Sequence, residues 1–316
     1  MTAIGNIKMK TLPSLLAGFA LTLVAAALPA AAQTKVKMTY TAVAGFTAGY
    51  VAEQQGFFQK HGVDVDFVQT AISGNIPGAI VSASVDVGGP TLPSVLQAND
   101  AGLDLVVFAG GAVYPLTGDV LVVRPNSGIK TTKDLKGKAV GVPGLGALLH
   151  IMLRRDLKAN GVDPDSVRYV EVGFPQAGDA LKSGQIDAYP AQAPFTARII
   201  QSGAGVPVAN WLKSTPDGTP TVVWATTRKW AEAHKQAIEG MRAGMSEAKE
   251  FIKTHKAETD AAVAKYTGLP PQVVASIPLP PLDVDLDAKQ LQFWVDICKE
   301  QKLIKGNPTP ASLWVK

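Results

Sequence analysis

The chain contains its own near-copy, and that repeat limits it to folds built from paired α/β units. VKMTY (36–40) alternates as a strand, AGFTAGYVAEQQ (44–55) reads as a short helix, and Gly56 and Gly62 punctuate the return to a second strand, VDVDFV (63–68). Further on, KAVGVPG (138–144) leads into LGALLHIMLRRDLKAN (145–160), which stops at Asn160 and Gly161 before SVRYVEV (166–172). At an offset of 99, Val43, Gly45, Ala48, Gly62, Val63 and Asp64 fall on Val142, Gly144, Ala147, Gly161, Val162 and Asp163. At an offset of 101, Ala79, Ser82, Asp86 and Pro93 fall on Ala180, Ser183, Asp187 and Pro194. Two strand–helix–strand units imply two small parallel sheets with crossover helices, whose ligand-facing loops lie at the carboxyl edges of the strands.

The loop GVPGLGALLH (141–150) raises the question of a nucleotide, because glycines opening a helix often cradle phosphate. The spacing excludes the two common templates. A dinucleotide fingerprint from Gly144 and Gly146 needs a small residue where Leu149 stands, and a P-loop needs Lys followed by Ser or Thr after its last glycine. Paired with AVAGFT (42–47), the loop instead reads as one of two jaws that bring helix N-termini close to a small ligand. Asp86 and Asp187 resemble a carboxylate pair for acid–base chemistry, but their equivalent places in the two units point to structural hydrogen bonding.

The N-terminus carries Lys8 and Lys10, then LPSLLAGFALTLVAAAL and PAAAQ, the pattern of a signal peptide with cleavage expected after Ala32. Its apolar run is short for a spanning helix, so no membrane anchor is expected in the mature chain. Removing it lowers the formal charge from +4 to +2, which favours neither nucleic acid nor an acidic membrane surface. Cys298 is the single cysteine, so no internal disulfide forms and no lipid-bearing cysteine stands near the cleavage site. His61, His150, His234 and His255 lack metal-ligand spacing. The expectation is a freely soluble periplasmic monomer with no metal and no cofactor.

VAEQQGFFQKHGVDVDFV (51–68), DLKGKAVGVPG (134–144) and ALKSGQIDAYPAQAPF (180–195) together resemble the nitrate, sulfonate and taurine class of periplasmic solute-binding proteins that feed ABC importers. The resemblance implies a type II binding-protein fold, two α/β lobes with a cleft, joined by two crossings and closing on ligand as a hinged clamp. The crossings are expected near Tyr114 to Val120 and Thr219 to Thr226. Residues 36–117 with 221–316 would form lobe 1, and 118–220 lobe 2. The helical pattern from Lys229 to Thr254 and the amphipathic AKQLQFWVDICKEQ (288–301) would return to cover lobe 1. The implied partners are a small organic anion and a membrane permease.

Relatives in that class often carry Ser or Thr just after the glycine of the second-lobe loop. Here Leu145, Gly146, Ala147 and Leu148 follow Gly144, which disfavours inorganic oxyanions and favours a ligand with an apolar body. Candidate wall residues are Phe46, Tyr50, Tyr114, Tyr189, Phe195 and Trp224. Candidate polar contacts are Thr41, Thr47, Ser73, Asn75, Thr91, its repeat partner Gln192, and Gln176, with Gly45, Pro90, Gly144, Leu145 and Gly146 supplying close backbone. Gly146 is placed at the helix start facing ligand, where Gly146→Glu would spare the fold and weaken binding. Arg198 and Arg228 are candidate countercharges, with surface solvation the competing role.

Two other classes compete. A sensor would present ligand to a membrane receptor instead of a permease. The same fold also resembles a pyrimidine synthase of thiamine biosynthesis and a desulfinase, but the first carries a cysteine-rich motif and the second a thiolate near the cleft. Cys298, in FWVDICKEQ, reads as helix core, so no catalytic residue is assigned.

Overall fold

The computed structural model describes residues 1–3, 33–116, 120–209 and 215–315. The expected signal peptide, beyond its first three residues, lies outside the described residues, as does part of the first expected crossing. Four strands come first, β1 (Thr34–Tyr40), β2 (Val63–Gln69), β3 (Val87–Gly88) and β4 (Leu105–Gly110). Five follow, β5 (Val120–Val123), β6 (Ala139–Val142), β7 (Arg168–Glu171), β8 (Ala188–Ala191) and β9 (Val206–Ala209), and then β10 (Val223–Thr227). They form two five-stranded sheets, β2-β1-β3-β10-β4 and β7-β6-β8-β5-β9.

The two orders are the same order twice. β1 pairs in parallel with β2 and β3, as β6 does with β7 and β8. The fourth place in each sheet is taken antiparallel, by β10 in the first and β5 in the second. The repeat read from the sequence is therefore structural, but its first register is not. Tyr40 and Val142 end equivalent strands, and helices Thr47–Gln54 and Leu148–Ala159 start equivalently. The equivalent separation is thus 101 or 102 rather than 99, and Gly45 corresponds to Gly146, not Gly144.

Asp86 and Asp187 do the same work in their lobes. Asp86 Oδ2 accepts from the Lys37 N–H at 2.8 Å while its own N–H donates to the Lys37 carbonyl; Asp187 repeats both bonds with Ala139, at 3.1 and 2.7 Å. Each clips the approach to the third strand onto the first. Burial raises the Asp187 carboxyl, but the Arg124 guanidinium at 2.9 Å and the Ala139 N–H outweigh it and hold the group below its usual range.

Between the lobes, residues 111–114 and 218–222 run side by side. Tyr114 donates its N–H to Thr219 O at 2.8 Å, Gly218 to Tyr114 O at 2.7 Å, and Thr221 to Ala112 O at 2.9 Å. The expected crossing at Thr219 to Thr226 is therefore divided, since Val223–Thr227 already belongs to the first sheet. Residues 281–284 add a third row through Val113 N–H to Pro281 O and Gly110 N–H to Val284 O, and Trp294 Nε1 donates to Pro220 O at 2.6 Å.

The first core is lined by the wholly buried LVVFAG of β4, a continuous apolar run as a doubly covered strand requires. Helix Lys235–Ile252 buries Ile238, Met241 and Met245 on one face, with Gly240 and Gly244 set against the His61 backbone and Phe58. The single long helix expected from Lys229 is broken at His234. There the His234 N–H bonds back to Trp230 O at 3.0 Å and its ring stacks on the Trp230 indole, closing the short helix Arg228–Ala233. Cys298 is fully buried in helix Gln292–Glu300, and burial pushes its thiol up to about 12. Among the described residues no helix is long and apolar enough to cross a membrane, and no group of His, Cys, Asp or Glu is placed to hold a metal.

Candidate functional site

The loops that leave the carboxyl ends of the parallel strands meet where the two sheets face each other. Three contacts seal the meeting: Ala44 N–H to Ala193 O at 3.0 Å, Ser73 N–H to Pro143 O at 3.1 Å, and Gln97 Nε2 to Gly146 O at 2.7 Å. Between them lie two cavities of about 10 Å³ each, about the space of one water. Val43, Gln192, Thr221 and Val222 line both. Thr41, Ser73 and Thr91 of the first lobe and Pro143, Ala147, Leu148, Leu149 and Phe174 of the second complete one; Ala44, Gly45, Leu116, Ala193 and Pro280 complete the other.

Sequence explains why these segments converge. Thr91 stands immediately before helix Leu92–Asp100 and Ala147 immediately before helix Leu148–Ala159, so each helix starts at the cavity wall. No side chain caps either end. Helix Leu148–Ala159 thus brings its first-turn N–H groups to this space, whereas helix Leu92–Asp100 brings at most that of Leu92, because Pro93 has none and Ser94 N–H donates to Thr91 O at 3.1 Å. Thr41, Ser73, Thr91, Thr221 and Gln192 stand around them, with the Ser73 hydroxyl donating to Pro143 O at 3.3 Å and that of Thr221 to Ala112 O at 2.8 Å. Helix dipoles oriented this way favour an anionic group. Among the described lining residues none carries a formal charge, and Val43, Leu148, Leu149, Phe174 and Val222 supply apolar wall.

Buried tyrosines fix the loops. Tyr50 donates to the carbonyls of Thr41 and Val43 at 3.1 and 3.0 Å, and Tyr189 to the carbonyl of Val172 at 2.9 Å. Burial raises both phenols well above their ordinary value, so they remain protonated donors. Neither lines the cavities. Phe195 stands one layer behind, stacked on Phe174 at 5.8 Å.

The residues expected at the site divide into three groups. Thr41, Ser73, Thr91 and Gln192 line the central cavity and Gly45 the adjoining one. Several stand elsewhere. Phe46 and Trp224 pack on each other at 4.7 Å, both fully buried in the first core, because the rings fill the space beneath β10 and Gly89. Thr47 turns its hydroxyl to Ala44 O at 2.7 Å, at the start of its own helix. Asn75 and Gln176 are exposed, Pro90 is buried with its carbonyl taken by Val223 N–H, and Tyr114 lies in the crossing ribbon. Arg228 is held by Asp104 and the Ser312 carbonyl, and Arg198 lines a separate cavity of about 80 Å³ with Lys182 and Phe174.

The glycine loop forms the third group. A Cβ on Gly144 would come within 2.9 Å of Gly74 N and 3.0 Å of Ser73 Oγ, so this glycine lets the two backbones touch. Leu145 is half exposed and its N–H donates to Glu171 Oε1 at 2.9 Å. Gly146 has φ +74°, donates its N–H to His150 Nδ1 at 2.9 Å and packs against Gln97. It precedes the helix start rather than facing the cavity, and its left-handed backbone contradicts the expectation that a side chain there spares the fold. Burial, with the Arg154 charge adding, lowers His150 to about 4, so the imidazole stays neutral and accepts that bond.

Sequence reasoning missed Thr221, Val222, Val43, Leu148 and Leu149. Thr221 and Val222 sit in the crossing just before β10, and their place beside the expected crossing was the available signal.

Comparison with known proteins adds to this geometry. The profile described as NMT1/THI5 like matches residues 43–259. A protein of Escherichia coli (strain K12) named for binding aliphatic sulfonates is 29% identical over 235 residues, covering 72% of this chain and 71% of its own. The alkanesulfonate-binding protein SsuA from Xanthomonas axonopodis pv. citri, bound to MOPS, superposes with a TM-score of 0.74 at 22% identity, over 90% of this chain and 99% of that one. The periplasmic nitrate-binding protein NrtA from Synechocystis PCC 6803 gives 0.77 at 14% identity, over 89% and 85%. These two likenesses establish the periplasmic binding-protein fold.

Proposed function

The chain belongs to the NMT1/THI5-like family, and from that premise we propose that it is the substrate-binding component of an ABC importer, which captures a small organic anion between its lobes. The observation that carries this reading is the uncapped start of helix Leu148–Ala159, which meets the side chains of Ser73, Thr91 and Gln192 from the other elements inside an apolar wall. The anionic group would take the helix N–H groups and the hydroxyls of Ser73 and Thr91, and the apolar body would lie against Leu148, Leu149, Phe174 and Val222. Sulfonates and carboxylates with short apolar bodies fit that division. The named ligands of the Escherichia coli and Xanthomonas proteins support the same class.

The present cavities hold about 10 Å³ each, so entry needs separation of the lobes and an outward shift of the wall, with the crossing ribbon as the hinge. Residues 1–32 would direct export to the periplasm, where a monomer would deliver ligand to a membrane permease. A membrane receptor in place of the permease is the competing partner, and adjacent permease and ATPase genes would favour uptake.

A thermal-shift screen of alkanesulfonates, carboxylates, pyrimidines, nitrate, sugars and metal ions tests the ligand class. A ligand at a hundred times its dissociation constant adds roughly 2.7 kcal/mol. An organic sulfonate or carboxylate should raise the melting temperature, and a shift with sugars or metal ions alone would refute the proposal.

A further inference from the structure

Helix Leu148–Ala159 of the second lobe is held along its length by side chains from outside that lobe. Its start lies at the cavity, where Gln97 donates Nε2 to the Gly146 carbonyl at 2.7 Å. Further along, Gln301 donates Nε2 to the Ile151 carbonyl at 2.8 Å, and the Arg155 guanidinium lies 5.3 Å from the centre of the Phe293 ring. At the outer end Lys158 Nζ meets Glu300 at 3.3 Å. Phe293, Glu300 and Gln301 belong to the C-terminal stretch whose helix packs on Leu92–Asp100 of the first lobe.

The chemistry of this seam is that of a reversible contact. Lys158 and Glu300 are largely exposed, so water and salt screen their attraction. Gln301 is half-buried, and its Oε1 is buried without a hydrogen-bond partner while Nε2 is engaged. The closed form therefore gains one amide bond and leaves one amide oxygen dry, and separation would return that oxygen to water. Both Gln97 and Gln301 grip main-chain carbonyls, so the contact depends on lobe position and not on the identity of a facing side chain.

We propose that this seam is a closure latch, in which Gln97 and Gln301 act as positioning residues that set the share of closed molecules, and so the apparent affinity, without touching ligand. The inference rests on the clamp reading above. Where ligand is held by the closed lobes, the observed dissociation constant rises in inverse proportion as the share of molecules able to close falls.

The test uses the ligand-free mature protein with spin labels at Gln69→Cys and Lys182→Cys, two exposed positions on opposite lobes, while buried Cys298 stays unlabelled. Pulsed dipolar spectroscopy reads the inter-lobe distance in this background, in Gln301→Ala and in Gln97→Ala, each with and without 1-butanesulfonate. Each alanine variant should raise the ratio of open to closed molecules roughly two- to tenfold, the worth of one hydrogen bond. Gln301→Glu, which places an acceptor against the Ile151 carbonyl, should open the protein further. Identical distributions in all variants would overturn the latch, whatever the sulfonate does. A distribution that moves with the variants but not with sulfonates would support the latch and count against the ligand class.

Discussion

Gly146→Ala should destabilise the protein by about 2–3 kcal/mol without touching the cavity. Two effects contribute, and the structure separates them. The backbone at Gly146 has φ +74°, a conformation that costs an L-residue about 1–2 kcal/mol. The new Cβ would also lie 2.8 Å from Gln97 Oε1 and 3.2 Å from Nε2. The flexible amide would swing away, and the 2.7 Å bond to the Gly146 carbonyl would go with it, at about 0.5–1.5 kcal/mol. Thermal melting of wild type, Gly146→Ala, Gln97→Ala and the double variant forms a cycle that isolates the second effect. The single glycine variant should melt roughly 4–10 °C lower. In the double variant the loss beyond Gln97→Ala alone should fall to the backbone cost, about 1–2 kcal/mol. A Gly146→Ala protein that melts with wild type would refute both the left-handed turn and the contact.

Gly144→Ala acts on closure instead, because its backbone is outside the left-handed region and its new Cβ meets Gly74 and Ser73 of the opposite lobe. Losing the two Ser73 bonds to Pro143 should weaken ligand binding roughly five- to hundredfold by calorimetry, whereas Gly78→Ala, in open space, should not. His150 gives a pH signature. Burial, reinforced by Arg154, lowers its folded value to about 4, so the unfolded chain binds the proton more tightly. That contribution is complete above about pH 6.5 and is lost as the pH falls toward 4, on the order of 3 kcal/mol in all. Urea titrations across this range should show the loss in wild type and a flatter curve in His150→Asn. Cys298, with its buried thiol raised to about 12, should resist maleimide in the native protein at neutral pH and react once unfolded; prompt native labelling would contradict its burial.

The architecture was legible because periodicity and repetition carry it. VKMTY, VDVDFV and KAVGVPG became β1, β2 and β6, and the duplicated Asp86 and Asp187 marked equivalent turns. The glycine register was misleading because loops of unequal path connect equivalent ends. After β1 a 3₁₀ turn, Ala44–Phe46, precedes the helix, whereas after β6 the chain passes Gly144 and Gly146 in a single turn closed by Ala147 N–H to Gly144 O at 3.2 Å. Of the polar candidates after the strands, Thr41, Ser73 and Thr91 line the cavity, Ser73 with its hydroxyl bonded across the cleft to Pro143 O and Thr91 with its own bonded to Ser94. Thr47 does not, because its hydroxyl is satisfied by the turn it ends. Aromatics misled for a plain reason: Phe46 and Trp224 offer the largest apolar surfaces in their segments, and burial in the core takes them first. The wall is made by Val43, Thr221 and Val222 together with Leu148, Leu149 and Phe174, and the first three lie in loops that carry no periodic signal of their own.

A crystal structure grown with the alkanesulfonate that most raises the melting temperature tests the central claim most directly. The sulfonate oxygens should lie within hydrogen-bond distance of Ser73 or Thr91 and the first N–H groups of helix Leu148–Ala159, with the alkyl chain against Leu149 and Val222. A sulfonate bound anywhere outside the space between the two sheets would contradict the account.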